Sequence, residues 1–251
     1  MTAAETVRVK IKRQDRPGAE PYWDEFDVSY YPNMNVITLL QEIQRNPVNV
    51  SGRQVPPVEW ECSCLEEVCG ACTMIINGKV RQACTALVDQ IKKPIVLEPM
   101  RKFPVVRDLV VDRSRMFEAL KRVHAWVDID GTYDLGPGPR RSPEEQMEAY
   151  QYSRCMTCGC CLDACPQVND RNPFVGAAIL AQVRLFNIHP TGKSEKAERL
   201  RALMGPGGIH ECGNAQNCAQ VCPKEIPLVT AIAHLNRDVV VQTVKDFLHG
   251  K

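Results

Sequence analysis

Apolar and polar residues alternate through much of the first hundred positions, with Val7, Val9 and Ile11 sharing one face. A period of two predicts half-buried strands. Trp23, Phe26 and Val28 open another apolar segment, and PIVLEP supplies a last one near residue 97. Between them Val36, Leu39, Leu40 and Ile43 recur at helical spacing in NVITLLQEIQRN, which predicts one amphipathic helix packed on the sheet. Asn77-Gly78 separates TMII from KVRQACTALV. Asn-Gly tolerates positive φ at both turn positions, so these two runs are expected to pair as a hairpin.

From Asp112 the period becomes helical, with Met116, Leu120 and Val123 on one stripe. The boundary is expected within residues 105 to 112, giving a mainly β domain over 1–108 and a nearly all-α domain over 109–251, an α+β chain. A turn-rich stretch, DIDGTYDLGPGPRRSP, interrupts the helices, after which Ser142-Pro143-Glu144-Glu145 carries a capping-box signature. Further helices are expected to begin at Asn172-Pro173, at Ser194 (stopping at Gly205) and at Pro227, the last running through Phe247.

The chain has 251 residues, enough for two ordinary domains with their own cores. Lys plus Arg is 31 against 30 Asp plus Glu, and aromatics make up only 6%. That balance gives no support to nucleic acid as a partner, which would want a basic face interleaved with aromatics. The longest apolar candidate, Val175 to Val183, falls short of the roughly 18 residues of a membrane span. MTAAETVRVKIKRQ has neither the apolar core of a secretion signal nor an amphipathic presequence, so a bacterial cytoplasmic chain is expected.

Thirteen cysteines change the picture: five between Cys62 and Cys84, five between Cys155 and Cys165, three between Cys212 and Cys222. An odd count without a secretion signal argues against a disulfide framework and for metal sites. Cys64, Cys69, Cys72 and Cys84 fit C-x4-C-x2-C plus a distant cysteine, the plant-type spacing for a [2Fe-2S] cluster. The alternative is a four-cysteine zinc site, although zinc usually pairs two C-x2-C steps and only one is present. Cys62 lies outside the pattern and is read as a small buried hydrophobe. Glu61, Glu66 and Glu67 read as a solvated acidic loop before they read as tuning of the cluster.

Cys155, Cys158, Cys161 and Cys165, followed by Pro166, give the bacterial ferredoxin run C-x2-C-x2-C-x3-C-P. A shift of 57 residues maps this run onto Cys212, Cys218, Cys222 and Pro223, with Ala215 where Cys158 would repeat. In two-cluster arrangements the fourth cysteine of each run ligates the other run's cluster. Cys155, Cys158, Cys161 and Cys222 are then expected to hold a [4Fe-4S] cluster. Cys165, Cys212 and Cys218 remain, three thiolates facing an alanine methyl, and imply a [3Fe-4S] cluster. The rival is a [4Fe-4S] cluster completed by water or by Cys160, a residue otherwise expected to pack. Three clusters without a G-x-G-x-x-G fingerprint read as a one-electron wire whose catalytic chemistry lies in its partners. A zinc-stabilised interaction module is the reading from another class.

SCLEEVCGACTMIINGKVRQACTAL, LEPMRKFPVVRDLVVDRSRMF, CMTCGCCLDACP and CGNAQNCAQVCPKEIPL together resemble, in order and over nearly the whole chain, the iron-sulfur subunit of succinate dehydrogenase and fumarate reductase. LEEVCGACTM and DGTYDLGPGP are most similar to the bacterial branch that works with menaquinone. The resemblance implies a β-grasp plant-type ferredoxin domain followed by an α-helical ferredoxin domain. It implies a flavoprotein subunit with covalent FAD at the [2Fe-2S] end and a membrane-anchor cytochrome b with haem b under the [3Fe-4S] end. Electrons would pass from FAD through the three clusters to quinone, in the respiratory chain and tricarboxylic acid cycle, at the cytoplasmic face of a bacterial membrane. Fumarate reductase running the opposite way is the alternative. Ubiquinone-linked members carry a Trp after the Cys-Pro and a His after the cysteine matching Cys212; here PQVNDRN and Gly213 stand instead. Of the expected quinone contacts only Pro166 carries over, and His210 is a conceivable substitute that reads better as a surface residue.

Overall fold

The computed structural model describes residues 5–128 and 138–250, so the turn-rich stretch expected after Asp128 falls mostly outside the described residues. The chain divides into two compact units. One takes the residues up to Arg113 together with Met156–Asp163; the other takes Ser114–Cys155 and the chain from Ala164 onward.

The first unit is built on a five-stranded mixed sheet in the order β2-β1-β5-β3-β4. Its strands are β1 (Thr6–Arg13), β2 (Tyr22–Ser29), β3 (Thr73–Ile76), β4 (Lys79–Gln82) and β5 (Ile95–Glu98). β1 runs parallel to β5, whereas β1–β2, β3–β4 and β3–β5 are antiparallel. The helix Val36–Arg45 buries Val36, Ile37, Leu39, Leu40 and Ile43 in the core shared with Val7, Val9 and Ile11. Asn35 caps it reciprocally with Thr38, and the Asn35 amide also donates to the Cys84 carbonyl at 3.0 Å. Asn77 (φ 47°) and Gly78 (φ 79°) turn the β3–β4 hairpin as their residue types require.

Within β2 the faces differ from the apolar pattern. Trp23 is exposed, lying under the Lys10 ammonium, while Asp24 takes the core-facing position beside Phe26 and Val28. The reason is Arg13, which ends the buried face of β1 with no exposed surface at all. Its Nε and Nη2 donate to the two carboxylate oxygens of Asp108 at 3.0 and 2.9 Å, and its remaining donors reach the Pro56 and Pro57 carbonyls. Asp24 lies 3.6 Å from Nη1. Asp108 in turn accepts from the Gln14 and Glu59 amides. One guanidinium thereby joins the sheet, the loop before the first cysteines and the turn of a small hairpin, β6 (Val105–Arg107) with β7 (Val110–Val111). Met156–Asp163 joins this unit because the Asp163 carboxylate accepts from the Lys102 amide and Gly159 packs near Phe103 and Met100.

The second unit is helical: Ser114–Arg122, Pro143–Ser153, Ala177–Ile188, Lys196–Ala202 and Leu228–Leu248. Ala177–Ile188 packs against the other four and is buried on most sides, as a helix apolar all round should be. Its start corrects the expectation at Asn172-Pro173. The Asn172 side chain accepts from the Phe174 amide in a turn, and the helix begins only after Gly176, whose φ is 90°. Ser194 likewise lies in a tight 3-10 turn, Gly192–Glu195, with the α-helix starting at Lys196. Ser142 caps its helix with Glu145 as the capping box requires.

Asp108→Ala leaves the fully buried Arg13 guanidinium without its carboxylate, a loss expected to destabilise by about 3–5 kcal/mol. Thermal denaturation of the purified protein checks this; a melting midpoint equal to that of the unaltered chain would remove the pair from any account of stability.

Candidate functional site

The loop that leads to β3 is held by its own amides. Cys64 Sγ accepts from the backbone N–H groups of Glu66, Val68 and Cys69 at 3.4, 3.3 and 3.3 Å, and Cys69 Sγ accepts from Ala71 at 3.5 Å. Such convergence needs a backbone that reverses often, and Leu65, Glu67 and Gly70 all have positive φ. Successive inward N–H groups of this kind form a nest for negative charge. They bring the Cys64 thiol down to about 7, so that thiolate, the metal-binding form, is well populated near neutrality. Cys84, beyond β4, is instead pushed up to about 11 by burial and by the neighbouring Cys72 thiol. Cys72 and Cys84 flank the hairpin, tied by the Ala83 amide to the Cys72 carbonyl. Cys64, Cys69, Cys72 and Cys84 therefore stand around one loop-and-hairpin element, and its N–H donors suit the sulfides of a [2Fe-2S] cluster.

Two readings of this loop change. Cys62 is exposed, because the irregular segment turns its amides toward Cys64 and leaves this side chain outside. Glu67 is more than a solvated charge, since its carboxylate accepts from the Thr85 hydroxyl at 2.8 Å. Leu65 and Val68 leave large apolar side chains at the surface of the same loop.

The repeat of 57 residues is written in the backbone as well as in the cysteines. Thr157 and Asn214, then Gly159 and Gln216, are matching positions with positive φ. The single helical turns Cys160–Asp163 and Asn217–Gln220 coincide under the same shift. So do three hydrogen bonds: Cys155 to Tyr152 with Cys212 to Ile209, Leu162 to Gly159 with Ala219 to Gln216, and Val168 to Cys165 with Glu225 to Cys222. Gly159 meets the left-handed requirement for the first copy; Gln216 adopts it against its intrinsic preference.

Cys165, Cys212 and Cys218 line one hollow in the second unit, together with Ala215, Pro166 and Gly213. Cys222 does not line it. Burial pushes the Cys218 thiol up. Phe174, Ala177 and Ile232 supply apolar walls, so the cradle suits a compact inorganic group held by three sulfurs. At Gly213 a Cβ would stand 2.7 Å from Nε2 of Gln167, so a larger residue there has to move that flexible side chain. His210 lies at the surface beside Glu211 and does not reach the hollow.

Of the remaining run, Cys158 and Cys161 belong to the first unit and Cys155 and Cys222 to the second. The Cys160 thiol and amide, with the Arg113 charge, hold Cys158 down at about 7 despite its burial. Cys160 itself is fully buried. Among the described residues no three His, Cys, Asp or Glu side chains meet at a position for one metal ion, and no helix is long and apolar enough to cross a membrane.

Comparison with known proteins finds two family models that match in turn along the chain. Residues 8–118 match the family model of a 2Fe-2S iron-sulfur cluster binding domain, and residues 151–226 that of a 4Fe-4S dicluster domain. The succinate dehydrogenase iron-sulfur subunit of Bacillus subtilis is 60% identical over 98% of both chains. The fumarate reductase iron-sulfur subunit of Wolinella succinogenes is 29% identical over 94% of this chain and 97% of its own. A chain of the Mycobacterium smegmatis Sdh1 complex in the apo form shares the fold, with a TM-score of 0.81 at 23% identity over 96% of this chain and 98% of that one. Near-complete coverage at 60% identity, with both domain matches in order, establishes that the chain belongs to the family of succinate dehydrogenase and fumarate reductase iron-sulfur subunits.

Proposed function

We propose that this chain is the electron-carrying subunit of a succinate dehydrogenase, taking electrons singly from a flavoprotein's FAD and delivering them to membrane quinone. Cys64, Cys69, Cys72 and Cys84 would hold [2Fe-2S]; Cys155, Cys158, Cys161 and Cys222 would hold [4Fe-4S]; Cys165, Cys212 and Cys218 would hold [3Fe-4S]. Bound there, the clusters supply reversible one-electron storage at potentials set by cluster type and surroundings. The chain's own work is to place the sulfurs, direct N–H groups toward Cys64 and shield the sites with apolar walls.

The observation that carries the reading is the hollow at the repeat. It is lined by Cys165 from the first run, Cys212 and Cys218 from the second, and Ala215, the position that matches Cys158 under the shift of 57 residues. This is what crossed ligation asks of a three-thiolate site. Pro166 and Gly213 line the same hollow, which supports a quinone end beside it, with menaquinone the quinone proposed. The apolar Leu65 and Val68 on the other cysteine loop support a separate contact for the flavoprotein. A membrane-anchor cytochrome b carrying haem b would hold the chain at the cytoplasmic face of a bacterial membrane, since none of its described helices spans one. Fumarate reductase is the second reading, favoured by relatives of that name at 26–32% identity; the 60% relative favours the dehydrogenase.

Ala215→Cys should turn [3Fe-4S] into [4Fe-4S], lower its potential and slow quinone reduction. Electron paramagnetic resonance of the oxidised complex reads the change, and absence of a [3Fe-4S] signal before mutation would defeat the assignment. Cys222→Ala should damage [4Fe-4S] ahead of [3Fe-4S]; selective loss of the [3Fe-4S] signal would reverse the ligand sets.

Gly213→Trp should displace the Gln167 side chain and fill the hollow beside Cys212, impairing quinone-linked turnover while succinate oxidation by a dye that draws on the flavin continues. Parallel loss of both rates would mean that the position serves assembly and not the quinone end.

A further inference from the structure

Gln82 and Cys160 are each completely buried, and Gln82 Nε2 donates to Cys160 Sγ at 3.3 Å. The Gln82 carboxamide oxygen lies 2.9 Å from the Thr73 hydroxyl, which also stands 2.7 Å from the Gly70 carbonyl. Thr73 and Gln82 are cross-strand partners where β3 and β4 leave the cysteine loop. Every member of this hydrogen-bonded series lies within two residues of a cysteine assigned above. Gly70 follows Cys69, Thr73 follows Cys72, Gln82 comes two residues before Cys84, and Cys160 lies between Cys158 and Cys161.

A second observation is independent of the hydrogen bonds. A Cβ on Gly70 would stand 2.7 Å from Cys158 Cβ, 2.8 Å from Cys158 Cα and 3.2 Å from the Met156 carbonyl. The cysteine loop and the start of the four-cysteine run therefore meet backbone to backbone, at a distance that any side chain would open. Arg113 braces the same place, donating to the Gly70 and Ala71 carbonyls at 2.8 and 2.7 Å.

Burying a carboxamide is costly unless its donors and acceptor are satisfied. A Leu or Met at position 82 would fill the space without that liability. Here the amide instead reaches a cysteine that lies outside the ligand count, which gives Cys160 a task that packing alone does not.

We propose that Gln82 and Cys160 are positioning residues that fix the coupling between the [2Fe-2S] hairpin and the [4Fe-4S] run. Together they complete a covalent and hydrogen-bonded route from Cys84 through Gln82 and Cys160 to Cys161. One electron leaves the first centre and the same electron reduces the second; neither Gln82 nor Cys160 changes oxidation state, and no proton moves. Gly70 sets how near the loops come, and the Gln82–Cys160 bond keeps them in register. The proposal rests on the cluster assignment made above.

The test uses the assembled complex, with Gln82→Met, Cys160→Ala and Cys160→Ser made in the full chain. Iron and acid-labile sulfide are measured first. The microwave-power saturation of the reduced [2Fe-2S] resonance is then followed with the neighbouring [4Fe-4S] cluster oxidised and reduced. Two reduced clusters at close range relax each other, so in the unaltered complex reduction of the neighbour should make the resonance harder to saturate. This enhancement is expected to fall several-fold in Gln82→Met and Cys160→Ala at unchanged iron and sulfide, and to return in Cys160→Ser, whose hydroxyl can still accept from Gln82. Unchanged enhancement in both Gln82→Met and Cys160→Ala, or no difference between Cys160→Ala and Cys160→Ser, overturns the proposal. Should Gln82→Met lose its clusters, the Ala and Ser variants at 160 decide alone. An unaltered complex without a [2Fe-2S] resonance would instead overturn the underlying cluster assignment.

Discussion

Negative sulfur is difficult to gather: thiolates repel one another and lose much when taken from water, so a loop that collects several must replace solvent with peptide dipoles. Around Cys64 three amides converge, and they do so only because Leu65, Glu67 and Gly70 reverse the chain. Positive φ recurs at Thr157 and Gly159 and again at Asn214 and Gln216, within the other two cysteine runs. Left-handed residues other than glycine cost on the order of 1–3 kcal/mol each and persist only where surrounding structure over-determines them. The sheet, the helices and the buried Arg13–Asp108 pair supply that surrounding structure.

Features written in a few neighbouring residues were legible in the sequence. The amphipathic helix in NVITLLQEIQRN, the Asn77-Gly78 hairpin, the Ser142 capping box and the shift of 57 residues are each readable along the chain, and the structure holds all of them. What sequence reading missed depends on distant partners. Asp24 displaces Trp23 from the buried face because Arg13, on another strand, needs carboxylates. The central helix starts at Ala177 because Asn172 spends its side chain on a turn. Cys62 lies outside because the amides near it face Cys64. At the candidate site the cysteine sets are proposed from spacing, whereas the Gln82 bond to Cys160 has no signal in the sequence, since Gln82 is 78 residues away.

Burial also separates the thiols by role. Cys64 is eased toward thiolate by amides at a half-exposed site, while Cys84 and Cys218 are driven toward the protonated form by their surroundings. Thiols of the second kind must surrender their protons when a metal arrives, because the bound form is the thiolate. Loading is thereby coupled to proton release, and more strongly at Cys84 and Cys218 than at Cys64.

The short segment Met156–Asp163 belongs with the sheet although more than forty residues separate it from Arg113. A ribosome making this chain releases the five strands well before that segment emerges. Until Asp163 is out, the Lys102 amide, the Gln82 carboxamide and the Gly70 backbone lack their partners. The first unit therefore cannot finish folding in the order in which it is synthesised, and no single cut in the chain separates the two units intact.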